Sequence, residues 1–339
     1  MCEECSTGSG DRGTRLLRGP ARGHHWLVRI AFVLGLAAAL AAPAAASAAT
    51  TAVVDVSVAT LWKAPNLARP LDAPSLGNPV DPRRWSANLA STADRIWLDS
   101  HVQTQALYGQ KVVVLARRAG WAKVAVVDEP DPQNRNGYPG WLPAKQLVAD
   151  PGATATRFAV VTAPTATLAA RTPLELSFGT KLPLVHAAAD AVTVQAADGG
   201  EATLPREAVR IAPAAPKRPT GAQVLAAAKR FLGVRYLWGG LSAWGFDCSG
   251  IVWAVYRSFG VTIPRDADPQ LRGAGGIRGT PVPRSALRPG DLLFFGSPSY
   301  AEHEAIYAGN DLMLEAPDSA HRVRIVPVRW TYFVGARRY

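Results

Sequence analysis

The chain has 339 residues, enough for two or three domains at roughly 150 residues each. Its 48% hydrophobic and 8% aromatic content excludes wholesale disorder, and its 30 Gly and 27 Pro follow no triplet period, which excludes a collagen-like chain. The formal charge of +11 points to anionic surroundings, and three cysteines cannot form a disulfide framework.

Arg12, Arg15, Arg18, Arg22 and Arg29 lead into the apolar run Ile30 to Leu40, followed by an Ala-rich stretch ending Ala46-Ser47-Ala48. This basic, apolar and small-residue order is that of a secretory signal peptide over residues 1–48. An uncleaved membrane anchor is the rival, because the Ala-rich tail lengthens the run toward the ~20 residues a span requires. No cysteine follows the run, so a lipid-modified N-terminus is not expected. Cleavage after Ala48 removes five Arg and three acids and leaves a charge of +9. The expected location is therefore secreted, in the cell envelope or periplasm, with no membrane association after cleavage. Cys2 and Cys5 lack a second Cys/His pair at zinc-ligand spacing and would leave with the leader. That leaves one thiol, Cys248, in a compartment where disulfides are usual. No sequence feature calls for a metal or organic cofactor, and without a Lys/Arg-rich block no nucleic-acid partner is expected. Oligomeric state has no signature.

From residue 49 to 150 short strands alternate with turns. Val54, Val56 and Val58 alternate with polar or small residues and predict a half-buried strand. Lys111 to Leu115 and Trp121 to Val127 flank Arg117-Arg118-Ala119-Gly120 and predict a hairpin. Tyr138-Pro139-Gly140-Trp141 reads as a turn, and Asn66 to Asp99 as an insertion. Residues 151–212 repeat the scheme: Gly109-Gln110-Lys111 is echoed by Gly179-Thr180-Lys181, and Leu142-Pro143-Ala144-Lys145 by Leu204-Pro205-Arg206-Glu207. Two small β-barrels are expected from these repeats. A proline-stiffened linker over 213–219 leads to residues 220–339. There, helices are predicted over Gly221 to Leu232 and from about Cys248 to Phe259, each closed by a glycine. Strands are predicted over Leu292 to Phe295, Glu304 to Tyr307, Leu312 to Leu314 and Val323 to Val326, giving an α+β domain.

Asp247-Cys248-Ser249-Gly250 opens the second of these helices. A thiol there sits among unpaired N–H groups at the positive end of the dipole, which favours the nucleophilic thiolate. A small buried core cysteine is the alternative. Such a nucleophile needs a base, and residues 220–339 hold two histidines. His303 begins a predicted strand and could face inward, whereas His321 follows a predicted turn and reads as a solvated loop residue. Glu315 closes the next strand and suits the group that orients the imidazole, with an exposed strand-end carboxylate as the alternative. Zinc-helix, phosphate-loop and serine-elbow patterns are missing.

Tyr236-Leu237-Trp238-Gly239-Gly240, Asp247-Cys248-Ser249-Gly250, Pro264-Arg265-Asp266, Arg288-Pro289-Gly290-Asp291-Leu292 and His303 with Ile306-Tyr307-Ala308-Gly309-Asn310 resemble the NlpC-type family of cell-wall cysteine peptidases. The resemblance implies two small all-β SH3-like barrels followed by a reduced papain-like α+β peptidase domain. It also implies hydrolysis of peptidoglycan stem peptides, or murein tripeptide, between D-γ-glutamate and a diamino acid. Cys248 would be the nucleophile and His303 the base. Tyr236 would stand beside the thiol at the oxyanion, and Asp247, Ser249 and Arg265 would line the substrate cleft. The third catalytic position, often His and sometimes Asn or Gln in the family, is Glu315 here. Thr104-Gln105-Ala106-Leu107-Tyr108-Gly109 and Gly137-Tyr138-Pro139-Gly140-Trp141 are similar to the first SH3-like domain of three-domain γ-D-glutamyl-L-diamino-acid endopeptidases. In those enzymes an acid and a Tyr stand near the free amine of an N-terminal L-Ala. Tyr138 matches the Tyr, with packing on Trp141 as its alternative role, and the acidic position falls on uncharged Gln103. Two other functions remain open at this level: a non-catalytic cell-wall-binding protein, and an acyl or amide transferase on the same fold.

Overall fold

The structure, a computed structural model, describes residues 50–152 and 154–339. The expected leader over residues 1–48, with Cys2 and Cys5, lies outside the described residues. Among the described residues no helix is long and apolar enough to cross a membrane.

The first β-domain comprises β1 (Thr51–Val54), β2 (Val58–Trp62), α1 (Pro82–Asn88), α2 (Thr92–Trp97), β3 (Val102–Leu107), β4 (Lys111–Arg118), β5 (Trp121–Val126), β6 (Tyr138–Pro143) and β7 (Leu147–Ala149). Its sheet has the order β3-β2-β6-β5-β4-β1-β7. The alternating valines do not form one strand: Val54 ends β1 and Val58 begins β2, with the chain turning between them. All three side chains are nonetheless buried, Val54 and Val56 in the first domain's own core and Val58 against the third domain. The β4–β5 hairpin turns at Ala119 and Gly120, both at positive φ (45° and 82°), as a two-residue hairpin turn of matching twist demands. Tyr138-Pro139-Gly140-Trp141 opens strand β6 instead of forming a turn. Gly140 is required there because a Cβ would lie 2.7 Å from Leu61 Cβ, and β6 borders β2 in the sheet. The insertion between β2 and β3 carries α1 and α2. Its Trp85, Leu89 and Leu98 are buried with Trp62 of β2 and Leu237 of the third domain.

The second β-domain runs β8 (Arg157–Val161), β9 (Thr165–Leu168), β10 (Leu174–Ser177), β11 (Lys181–Ala187), β12 (Ala191–Gln195), β13 (Glu201–Pro205) and β14 (Val209–Pro213). Its five-stranded sheet has the order β13-β12-β11-β8-β14, with β9 and β10 paired separately. The sequence echoes land on equivalent places. Gly109 and Gly179, both at positive φ, precede β4 and β11, and both Leu-Pro pairs lead into single 3-10 turns.

The third domain contains α3 (Gly221–Lys229), β15 (Leu241–Ser242), β16 (Gly245–Phe246), α4 (Cys248–Ser258), α5 (Ala267–Arg272), β17 (Thr280–Pro281), β18 (Leu292–Ser297), β19 (Tyr300–Gly309), β20 (Leu312–Glu315), β21 (Arg324–Pro327) and β22 (Phe333–Arg338). The antiparallel sheet has the order β17-β22-β18-β19-β20-β21. Helix α4 is buried on nearly every side, as expected of a helix apolar all round. Ile251, Val252, Trp253, Val255 and Tyr256 lie in the main core, which also takes in Val58 and Leu107 of the first domain and Phe178 of the second. Phe178, Phe231 and Phe246 stack edge to face at 4.8 and 4.9 Å. All three domains therefore contribute to one apolar cluster, and the helix that carries the thiol lies within it.

Candidate active site

The opening of α4 shows what each residue of Asp247-Cys248-Ser249-Gly250 contributes. Asp247 is the N-cap, in extended backbone (φ −89°, ψ −177°), and its Oδ1 accepts from Gly250 N at 2.6 Å. Gly250 has no tolerance for a side chain, since a Cβ would lie 1.9 Å from the Gly240 carbonyl oxygen. Cys248 is the first helical residue, with first-turn N–H groups that have no acceptor inside the helix. Ser249 Oγ donates to Asp247 Oδ1 at 3.2 Å.

Arg265 stands behind this cap. It is fully buried, donating to Asp247 through Nη1 (3.1 Å) and Nη2 (2.7 Å), to Ser249 Oγ (2.9 Å) and, through Nε, to Thr104 Oγ1 at 2.9 Å. Thr104 in turn donates to Glu129 Oε2 at 2.8 Å, a carboxyl that burial pushes up to about 8. Arg265 was expected on the cleft wall. It lies behind it instead, because a guanidinium whose donors meet two side chains of its own domain and one of the first β-domain has none left for a substrate.

A cleft of about 450 Å³ opens over the cap, lined by Cys248, Tyr236, Asp247, Ser249 and His303 together with Tyr138, Gln103, Asp99 and Lys63 of the first domain. His303 lies on β19 and Glu315 ends its hairpin partner β20. His303 Nε2 and Glu315 Oε2 are 2.9 Å apart. Glu315 is fully buried, which removes the exposed-carboxylate alternative. Burial raises its pKa, but hydrogen bonds from His303 and Arg329 outweigh burial and hold it at about 2. An ionised carboxylate only accepts, so His303 Nε2 carries the hydrogen, and in the neutral ring Nδ1 is the basic nitrogen. His321 is paired with Asp318 at 2.7 Å on the loop after β20 and is half-exposed.

The thiol is not the standing anion that the helix terminus alone suggests. Burial pushes Cys248 up, as do the charges of Asp247 and Glu304, while the Glu304 backbone N–H and Arg265 oppose them. Glu304 is itself fully buried and raised well above the carboxylate range by that burial. The thiol must still hand its proton to a base, and Nδ1 of His303 is the group in the same cleft that can take it.

Three further side chains shape the end of the cleft against the first domain. Tyr138, at the head of β6, donates to Asp266 Oδ2 at 2.8 Å. Asp266 is pushed up to about 6, by burial first and by Asp247, against the pull of Arg265 and Tyr138. Asp99, also about 6, is raised by burial and drawn back by Ser319 and Lys63. Sequence reasoning missed Asp99. It follows α2 within an insertion, and only the fold of that insertion brings it to the cleft. Gln103, the position matched to the expected acid, lines the same cleft without charge.

The NlpC/P60 family model matches residues 233–336, the bacterial dipeptidyl-peptidase SH3 domain model residues 98–147, and the YKFC SH3b2 domain model residues 161–211. The gamma-D-glutamyl-L-lysine dipeptidyl-peptidase of Bacillus cereus (strain ATCC 10987 / NRS 248) is 38% identical over 307 residues, covering 85% of this chain and 90% of that protein. The chain belongs to the NlpC/P60 family. The gamma-D-glutamyl-L-lysine dipeptidyl-peptidase of Bacillus subtilis (strain 168) is 32% identical over 288 residues, covering 82% of this NlpC/P60 chain and 93% of the relative. The crystal structure of an NlpC/P60 family protein from Bacillus cereus ATCC 10987 superposes with a TM-score of 0.80 at 36% identity, covering 86% of this chain and 99% of that one. The NlpC/P60 domain is preceded by two bacterial SH3-type domains, and the protein is a cysteine peptidase of the cell-wall class.

Proposed function

We propose that the enzyme hydrolyses peptidoglycan stem peptides at the bond between D-γ-glutamate and the following diamino acid, through a thioester on Cys248. The observation that carries this reading is the meeting, in one cleft, of a thiol at the start of α4 and an imidazole held by a buried carboxylate. His303 Nδ1 takes the Sγ proton as sulfur bonds the γ-carbonyl carbon. The developing oxyanion is met by first-turn N–H groups of α4, with Tyr236 alongside. Tyr236 is kept protonated by burial and by the neighbouring Cys248 charge, so it can donate. His303 then gives the proton to the departing amine nitrogen and the C–N bond breaks. Water, deprotonated by the same nitrogen, attacks the thioester, and sulfur leaves with its proton restored.

The cleft also supports a preference for a free N-terminal amine. The first β-domain supplies Asp99 and Tyr138, and Tyr138 fixes Asp266, so anionic groups gather at that end. Among them only Asp247 is answered by a bidentate guanidinium. An ammonium group on the substrate is the complement of such a surface. The basic and apolar start of the sequence supports action outside the cytoplasmic membrane.

The test is incubation with L-Ala-γ-D-Glu-L-Lys and the corresponding diaminopimelate tripeptide. Release of free diamino acid is expected, lost in Cys248→Ala with its fold retained. Product persisting in Cys248→Ala would overturn the reading. Transfer of the dipeptide to an added amine in preference to water would make the enzyme a transferase.

A further inference from the structure

The carboxylate that orients His303 is itself held by two guanidinium groups. Besides the bond from His303, Glu315 accepts at Oε1 from Arg324 Nε (3.1 Å) and Arg329 Nη1 (3.0 Å), and at Oε2 from Arg329 Nη2 (2.6 Å). The pair with Arg329 is a two-pronged fork, a geometry that fixes a carboxylate in orientation as well as place. Arg329 also lies 5.6 Å over the Phe295 ring, whose centroid is 5.9 Å from that of His303, so one aromatic ring braces both partners. The charge of a buried carboxylate draws a proton onto a ring bonded to it. Two guanidiniums share the charge of Glu315 and repel a proton on the ring.

We propose that Arg324 and Arg329 are positioning residues for the reaction, fixing Glu315 on His303 Nε2 and balancing its charge so that His303 returns to the neutral base after each transfer. This rests on the reading of Cys248 and His303 given above. The other charged groups around the ring do not supply that balance. Asp318, paired with His321, faces Arg324 and Arg329 from the β20–β21 loop. Glu302 lies at the cleft rim beside the ring, Glu304 sits buried near the thiol, and Asp247, Asp266 and Asp99 face the cleft from α4, from the start of α5 and from the first domain. All are acids, or neutral when protonated, and any charge they carry favours the imidazolium. Lys63, which lines the cleft from the first domain, donates to the Asp99 carbonyl, and the cations bonded to Glu315 itself are Arg324 and Arg329.

The test uses the full chain and two readouts: tripeptide cleavage, and iodoacetamide alkylation of Cys248 followed on its own peptide by mass spectrometry, each as a function of pH. Alkylation reads the thiol–imidazole pair without reference to any substrate. In Arg329→Gln both profiles are expected to move to higher pH by about half a unit or more, because a cation beside the ring is gone. Arg329→Lys keeps the charge and should keep the profiles while lowering kcat through the lost fork. Glu315→Gln leaves two cations unanswered and should lose roughly 100-fold in rate. Adding Arg329→Gln to it should recover about tenfold, a sign of coupling that a purely structural role does not produce. Unmoved profiles in Arg329→Gln, or a double variant no better than Glu315→Gln, overturn the proposal. If Arg329→Gln does not fold, Arg324→Gln carries the same expectation and the same refutation. Shifted alkylation in an enzyme that never cleaves the tripeptide would sustain this clamp and refute the substrate reading instead.

Discussion

Tyr138 and Asp266 belong to different domains and meet at 2.8 Å across the mouth of the cleft, the phenol donating to the carboxylate. Burial and the charge of Asp266 raise the tyrosine far above its ordinary range, so the phenol stays protonated and can donate to the ionised carboxylate above about pH 6.

Removing that hydroxyl tests the wall of the cleft. Tyr138→Phe leaves Asp266 without its donor and is expected to raise KM for the free-amine tripeptide about three- to tenfold, with kcat nearly unchanged, in line with about 1 kcal/mol for one such hydrogen bond. Steady-state kinetics on free and N-acetylated tripeptides checks this, and an equal KM change for both would show that the wall does not read the amine.

Asp99 and Asp266 predict a pH dependence of binding. Both are raised to about 6, so both are ionised above that value and lose charge as the pH falls through it. A substrate α-ammonium, with an ordinary pKa of about 7.7–8.0, is mostly charged at pH 7.5 and fully charged below it, so its own titration does not produce a rise in KM. KM for the free-amine tripeptide is therefore expected to rise between pH 7.5 and pH 5, and Asp99→Asn to flatten that rise while raising KM at pH 7.5. A KM that does not change over this range removes the two carboxylates from recognition.

Much of this was legible from the residues and some was not. The Asp-Cys-Ser-Gly opening of a helix carries its chemistry in local order, and hairpin spacing put Glu315 on the strand beside that of His303. Both survive because they depend on neighbours in the chain. Tyr138 read as a turn because Pro and Gly follow it. In the fold those residues open β6, where Gly140 is demanded by the approach of Leu61. Arg265 looked like a cleft residue because nothing in Pro-Arg-Asp says which side of a wall it will occupy. Strand β22, absent from the pattern reading, lies between β17 and β18, and α5 is a six-residue helix with Pro269 near its start. Arg324 lies across the β20–β21 hairpin from Glu315, whereas Asp99 and Arg329 reach the site through tertiary folding.

Acid stability follows from Glu315. Its folded pKa of about 2 lies below the ordinary 4.5, so its contribution is present above about pH 4.5 and is lost as the pH falls toward 2. The difference corresponds to about 3 kcal/mol. Denaturant unfolding at pH 6 and pH 2.5 should show the wild-type protein losing more stability than Glu315→Gln by that order. Parallel losses would mean that the carboxylate is not paired in solution.

Arg265→Met probes the buried support of the helix cap. It leaves Asp247 buried without its partner, and a broken buried pair typically costs about 3–5 kcal/mol. Both the unfolding midpoint and the alkylation rate of Cys248 should fall. A stable variant with only a raised KM would return Arg265 to the substrate.

The same arginine has a consequence for how such enzymes can be recombined. Its Nε bond to Thr104, and through it Glu129, means that the turn presenting the sulfur is anchored in a module encoded more than a hundred residues earlier. A chimera with a foreign front module would inherit an intact catalytic sequence on a loosened foundation. Only a donor module offering a hydroxyl at the place of Thr104 would keep it set.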